Sequence, residues 1–393
     1  MKTIIHISAD FPDPIVPGKT KAVANLLAAT PGFRHIVYSM NRTHKPGVIF
    51  SRFDDDHTAI AYGAPPYGIG LERFLRPVAA SIQRDLAERG IRPDLIHAHK
   101  FSVEGLVAVE VARIQQCPFI CSLWGDTDIR IFEVKRGLRS RYRAVAGAAQ
   151  ALLPAAPWTG EYFRKALQIT DDKINLLPVM TAADAVLSPT VTGAPKLVSL
   201  FHLDSWKRKG FEQLVKAGVL ARRERPDLTI DVFGTGKAKS IRAVEAIVRR
   251  NNASSTVRVM GALPHDKVQH VLNGYTGFVM APHRETYGMV HVEALLAGLP
   301  IVWSQNRGVD GLFDGLDVGY RADPTSVEDV ARGMRFLIER EQSLKINIGH
   351  LHRNRTFDHL RRHRIAEVYS DLLARNAAAD PAHPAPEGRR MAS

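Results

Sequence analysis

Two glutamates, Glu285 and Glu293, stand eight residues apart in HRETYGMVHVEALLAGLP, residues 283–300. Paired carboxylates suggest glycoside hydrolysis, but there both acids must flank one bond at about 5 to 9.5 Å. Here a strand is expected to end at Pro282, a short polar loop carries Glu285 and Gly288, and a helix begins near Met289 and runs to Gly298. Eight helical residues span about 12 Å, and the two acids sit on different elements. They suit the two ends of one extended ligand better than a single bond. At the helix start the backbone N–H groups of Gly288, Met289 and Val290 would point toward an anion. The plainer alternative is a surface Glu and a helix Glu with no joint role.

A second stretch, VPGKTKAVANLL (16–27), contains Gly18-Lys19-Thr20, the last three letters of a P-loop. A P-loop needs another glycine five residues earlier, and that position is Asp13, whose carboxylate would repel phosphate. Lys19 is therefore not expected to be a nucleotide-binding lysine. His97 and His99 point to one face of their strand by period two. A metal pair there lacks an evident third ligand, so no metal is expected.

These residues need a scaffold. KTIIHISA (2–9) reads as a buried strand and AVANLLAA (22–29) as a helix. Strand-like runs follow at HIVYSM (35–40), DLIHAH (94–99), FICSLW (119–124) and ALLPAA (151–156). After the linker-like SPTVTGAPK near 188 they restart at KLVSLFHL (196–203), LTIDVFG (228–234), TVRVMGAL (256–263), GFVMAP (277–282) and LPIVWS (299–304). Such alternation predicts an α/β protein of two doubly wound, Rossmann-like domains facing across a cleft. The expected boundaries are 1–190 and 191–376, with the last helix free to pack back on the first domain. A disordered tail is expected over 377–393, where Ala, Pro, Gly and Arg dominate.

The 393-residue chain exceeds one comfortable core. Its start lacks a charged-then-apolar leader, and its best apolar stretch, 144–158, is short and broken by Gln150 and Pro154. A cytoplasmic location is expected. Cys117 and Cys121, four residues apart on a strand, read as buried free thiols. The formal charge of +13 favours an anionic partner. No nucleic-acid-binding motif accompanies it, so nucleic acid is not expected. Basic residues cluster in EVKRGLRSRYRAV (133–145), which suits either an anionic membrane surface at the inner face or a plain solvated face.

Glu285, Glu293, the internal glycine and the following EALLAGLPIV resemble the signature of retaining GT-B glycosyltransferases of family 4. Other stretches resemble the family's landmarks in the expected order: DLIHAHKFSVEGLVA (94–108), SLWGDTD (122–128) and FGTGKAK (233–239). The resemblance implies transfer of a sugar from a nucleotide-diphosphate sugar to a hydroxyl acceptor, with retention, in polysaccharide, lipopolysaccharide or glycolipid synthesis. It implies no cofactor and no metal requirement. Glu285 would hold the transferred sugar and Glu293 the ribose. Gly288, Met289 and Val290 would meet the sugar and phosphates, with Gly234 and Gly18 at further glycine turns of the donor site. The acceptor, a saccharide or lipid-linked molecule, would lie beside His99, Trp124 and Asp126.

The family's phosphate-binding Arg and Lys pair falls on LFHLDSWKRKGFEQL. Lys209 matches the Lys, His202 stands where the Arg would fall, and Arg208 or Lys207 is the substitute. Arg208 could engage two oxygens at once. Trp124 replaces a histidine common in relatives and cannot accept a proton, which leaves stacking or packing. Other activities on the same fold, a sugar-nucleotide epimerase or a phosphorylase, remain open, as does a non-catalytic nucleotide-sugar-binding role.

Overall fold

KTIIHIS forms a strand because Ile4 through Ser8 are all buried, as a strand covered on both faces requires. The structure, a computed structural model, describes residues 1–65 and 70–378. In it this strand, β1 (Thr3–Ser8), is central to a seven-stranded sheet with β2 (Arg34–Thr43), β3 (Val48–Arg52), β4 (His57–Gly63), β5 (Leu95–Ala98), β6 (Phe119–Leu123) and β7 (Ala151–Pro154). The order is β3-β4-β2-β1-β5-β6-β7, and β3 alone runs antiparallel to its neighbour. A six-stranded sheet follows from β8 (Lys196–Leu200), β9 (Thr229–Phe233), β10 (Val257–Gly261), β11 (Gly277–Val279), β12 (Ile301–Ser304) and β13 (Gly319–Ala322). Its order is β10-β9-β8-β11-β12-β13, with every pair parallel. Both sheets are those of an α/β fold with crossover helices.

Three strands escaped the sequence pattern. The edge strands β3 and β13 are short and half-exposed, with an apolar run of only three residues in VIFSR and none in GYRA, while β4 is reached through the charged turn FDDDH. The chain divides into two units, one of Met1–Ala155, Thr159–Pro178 and the chain from His363, the other of Ala156–Trp158 and Val179–Arg362. The division after Pro178 precedes the linker read at 188 because the extended segment 179–195 is tied into the second unit. Leu187 N–H donates to Leu296 O at 2.9 Å, Ala185 N–H to Gln269 at 3.0 Å, and Thr192 N–H to Glu341 at 2.8 Å. The helix Arg362–Asn376 lies in the first unit apart from its first residue. The tail expected over 377–393 falls, from residue 379, outside the described residues.

The 16–27 segment is built around Asp13. That carboxylate accepts from Lys19 Nζ at 2.7 Å, Asn41 at 2.8 Å, Ser39 Oγ at 2.5 Å and the N–H groups of Ile15 and Val16, both at 2.8 Å. Burial alone would raise the pKa of Asp13, but the hydrogen bonds from Lys19, Ser39 and Asn41 outweigh it and hold the group at about 2. Because this lies below the usual carboxylate value, the stabilisation is present above that value and is lost only as pH falls toward 2. Lys19 is thus turned into the protein, where it closes the loop, which removes the P-loop reading on geometric grounds.

Lys19→Met is expected to destabilise the protein by about 3 kcal/mol, because it strips a buried carboxylate of its cation. Urea unfolding measures this. The double variant Asp13→Asn, Lys19→Met should recover most of the loss, and an equal or greater loss would show that the pair is not the fastening.

Candidate active site

The glutamates are brought to the carboxyl end of the second sheet by the strand β11, the loop 280–288 and the helix Met289–Leu296. The loop turns into the helix through Gly288, which has φ +82°. A side chain there would be strained, and its Cβ would sit 2.8 Å from His291 Nδ1. His291, fully enclosed, fixes the turn from inside. Its Nε2 donates to Met280 O at 2.9 Å, and burial pushes its pKa down, so the ring is neutral.

Glu285 and Lys209 form a largely buried ion pair, their side chains 9% and 13% exposed. The second oxygen of Glu285 accepts from Thr286 N–H at 3.1 Å. Lys209 reaches it because the chain after β8 turns at Gly210, φ +68°, against β11: a Cβ on Gly210 would lie 2.7 Å from Ala281 O. From the other side Gly308 closes on Glu285, and a Cβ there would meet Glu285 Cγ at 3.2 Å. Trp158 Nε1 holds Gly308 O at 2.8 Å, and the Asp310–Arg321 pair braces the same loop at 2.6 and 2.7 Å. Gly210 appeared in the sequence only as the companion of Lys209. Neither Gly308 nor His291 carried any signal, because their partners are distant in the chain.

Glu293 is one and a half turns further on and nearly enclosed. Burial raises its pKa, against the opposing effects of His265 and of the Ala183 and Ala182 amides. It is thus joined to the extended segment 179–195 and not to the Glu285–Lys209 pair. Met289 and Val290 open the helix with partly exposed side chains. Gly234 belongs to a second turn, where a side chain would collide with the Phe201 carbonyl. His202 is exposed and 3.9 Å from Asp204, which in turn accepts from Lys237 N–H at 2.9 Å. Lys207 lies over the Trp206 ring, and Arg208 is exposed with Ser205 Oγ at 3.5 Å. The structure therefore joins Lys209 to Glu285 directly and leaves Arg208 on the adjoining surface.

Residues 192–349, less than half of the chain, match the family model described as Glycosyl transferases group 1. The chain carries a glycosyl transferases group 1 domain. The match includes Lys209, Glu285, Gly288 and Glu293. A curated relative, the UDP-N-acetylglucosamine–peptide N-acetylglucosaminyltransferase GtfA subunit of Streptococcus pneumoniae, is 28% identical over 32% of this chain and 22% of its own length. This chain thus spans about a fifth of that relative. Among solved structures, the sucrose-phosphate synthase of Thermosynechococcus elongatus superposes with a TM-score of 0.70 at 18% identity, over 95% of this chain and all of that one. Anabaena HepE, solved with UDP, gives 0.68 at 14% identity over 95% of this chain and all of that one. The fold is that of GT-B glycosyltransferases.

Outside the group 1 domain, the residues expected on the acceptor side sit at the carboxyl edge of the first sheet. His99 is buried against His6, with Nε2 3.1 Å from His6 Nδ1. Trp124 is half-buried at the start of the helix Gly125–Val134, its N–H donating to Asp128 at 2.8 Å, and Asp126 lies in the first turn. This edge also holds a group absent from the sequence reading. Glu104 is 1% exposed, accepts from Ala9 N–H at 2.9 Å and leaves its other oxygen without a partner. Burial pushes it up to about 7, against the pull of Lys100 and with the help of Asp10 and Asp128. Its pKa is raised, so the unfolded chain loses this proton first and stability falls as pH climbs from the ordinary carboxylate value toward 7.

Glu104→Gln keeps the acceptor oxygen and removes the titration. Its stability relative to the wild type is expected to rise between pH 4.5 and 7.5, by at most about 3 kcal/mol, in urea unfolding across that range. A difference independent of pH would show that Glu104 is ionised throughout.

Proposed function

We propose that the protein transfers a sugar from a nucleotide-diphosphate sugar to a hydroxyl acceptor, with retention at the anomeric carbon. The observation that carries this reading is the Lys209–Glu285 pair set against the Gly288 helix start, inside a group 1 domain. A cation, a carboxylate and helix-start amides are the groups needed for a diphosphate next to a polyhydroxylated ring. In this reading Lys209 and Arg208 take the leaving diphosphate, and Gly288, Met289 and Val290 present backbone to it. Glu285 accepts from hydroxyls of the transferred sugar and Glu293 from the ribose, while Gly18, Gly234 and His202 border the donor. The acceptor hydroxyl attacks the anomeric carbon as its bond to the phosphate oxygen breaks. The hydroxyl proton passes to that departing oxygen, so no protein base and no metal is required.

The acceptor in this proposal is a saccharide or a lipid-linked molecule bound by the first unit near His99, Trp124 and Asp126. Among the described residues no helix is long and apolar enough to cross a membrane. Within the basic stretch, Arg141 is bound to Glu72 and Glu110 and Arg139 lies over Phe132. Any attraction to an anionic membrane thus rests on Lys135, Arg136 and Arg143. UDP is the first nucleotide to test, since the GtfA relative is named for UDP-N-acetylglucosamine and the HepE structure holds UDP.

Glu293→Ala is expected to weaken nucleotide binding in calorimetry by about 10- to 100-fold, the worth of hydrogen bonds to a charged group. Glu285→Gln should lower kcat by a similar factor while nucleotide affinity changes less. Wild-type behaviour of both variants, across a panel of nucleotide sugars, would sink the assignment. Gly18→Val should abolish transfer with the far-UV spectrum unchanged.

A further inference from the structure

Strands β1 and β5 pair in register so that His6 stands opposite His97, and His99 follows two residues on, on the same face. All three rings are buried, and one ligand nitrogen from each lies within 4.8 Å of the others. The objection to a metal at His97 and His99 was the lack of a third ligand, and His6 supplies it. We propose that His6, His97 and His99 bind a zinc ion inside the first unit, a structural site that takes up the buried His99 and leaves contact with the acceptor to Trp124 and Asp126.

The hydrogen bonds decide which nitrogens are available. Thr30 O can only accept, so His35 Nε2, 2.9 Å away, carries the proton and His35 Nδ1 is an acceptor. His6 Nε2 therefore donates to His35 Nδ1 at 2.8 Å, which leaves a lone pair on His6 Nδ1 aimed at the cluster. The same Thr30–His35–His6 relay is the outer support that fixes ring orientation and tautomer in metal sites. His99 Nε2 lies 3.1 Å from His6 Nδ1, close to the separation of about 3.3 Å between two nitrogens bound tetrahedrally to one zinc. With no ion this contact is a hydrogen bond from His99 Nε2. On binding, that proton leaves Nε2 and one is taken up at Nδ1, with no net change. His97 and His99 have ring centroids 4.0 Å apart.

Burial pushes all three imidazoles toward the neutral form that metals require, His99 down to about 3. Both nitrogens of His97 have a hydroxyl partner, Tyr369 Oη at 2.8 Å from Nδ1 and Ser122 Oγ at 2.9 Å from Nε2; the hydroxyl on the nitrogen that takes the ion would give up that hydrogen bond and is the oxygen donor at hand for a fourth position. Three imidazoles and one oxygen in a closed tetrahedral site favour zinc over harder cations. The ion would join β1 and β5 and, through Tyr369, the helix Arg362–Asn376.

The test uses the tag-free full chain expressed in zinc-supplemented medium, with metal content measured by mass spectrometry. About one zinc per chain is expected, and the cobalt-substituted protein should show the intense visible band of a tetrahedral ion. His6→Asn and His99→Asn should each lose the metal, and His35→Asn should weaken binding by about 10- to 100-fold. The exposed His44→Asn should bind as the wild type does. If the first two variants do not fold, the wild-type stoichiometry and cobalt spectrum still decide. Substoichiometric zinc, an octahedral cobalt spectrum, or binding that survives in folded His6→Asn would overturn the proposal.

Discussion

Every strand pairing but β3–β4 is parallel, so helices must cross over both faces of each sheet and the interiors of the central strands are closed to water. A polar group in such an interior has to be partnered within the protein or lie at a strand end. That constraint sorts the molecule's chemistry. Glu285, Lys209 and Gly288 lie at the carboxyl ends of β8 and β11. Glu104, Asp10, Lys100 and Trp124 lie at the carboxyl ends of β1, β5 and β6. Polar side chains within the strands, such as His6, His97 and Asp231, are each bonded to a named partner.

The Lys209–Glu285 pair shows the constraint at work at the candidate site. In its own environment the pair is satisfied, and leaving either charge alone would be expensive. A ligand that supplies phosphate oxygens to Lys209 and hydroxyls to Glu285 can replace each partner without creating an orphan. The glycines at 210, 288 and 308 let three segments of backbone close on this one pair. Backbone packing at these glycines fixes the two loops from which Lys209 and Glu285 reach one another.

Much of this was legible in the sequence because it is local. β1, β2, β5 and the strands of the second sheet other than β13 are apolar runs bounded by turn residues, and the helix after Gly288 follows from its glycine and its apolar stretch. The spacing of Glu285 and Glu293 and the Lys209-Gly210 step were also visible. What stayed hidden depends on contacts between distant residues. Nothing near Glu104 in the chain says that Ala9 and Asp10 stand beside it. Nothing near His97 says that His6 stands across from it. Asp13 read only as a carboxylate unsuited to phosphate, and its pairing with Lys19 depends on a loop that the sequence pattern does not shape.

The glycines proposed for donor binding, with Gly210 beside Lys209, fall into two classes, and the difference bears on what a substitution can show. At Gly210, Gly234 and Gly288 an added Cβ would strike the protein itself: the Ala281 carbonyl, the Phe201 carbonyl and the His291 ring. Those glycines are required by the fold, so losing activity on their replacement says nothing about ligand. Gly18 is exposed, an added Cβ meets nothing within 4 Å, and its backbone does not lie in the left-handed region. The buried Asp13–Lys19 pair fixes the loop without help from Gly18. A bulky residue at 18 therefore leaves the fold intact, and whatever it obstructs must come from outside the chain. That makes this one glycine the place where the proposed approach of a ligand can be tested apart from the stability of the loop.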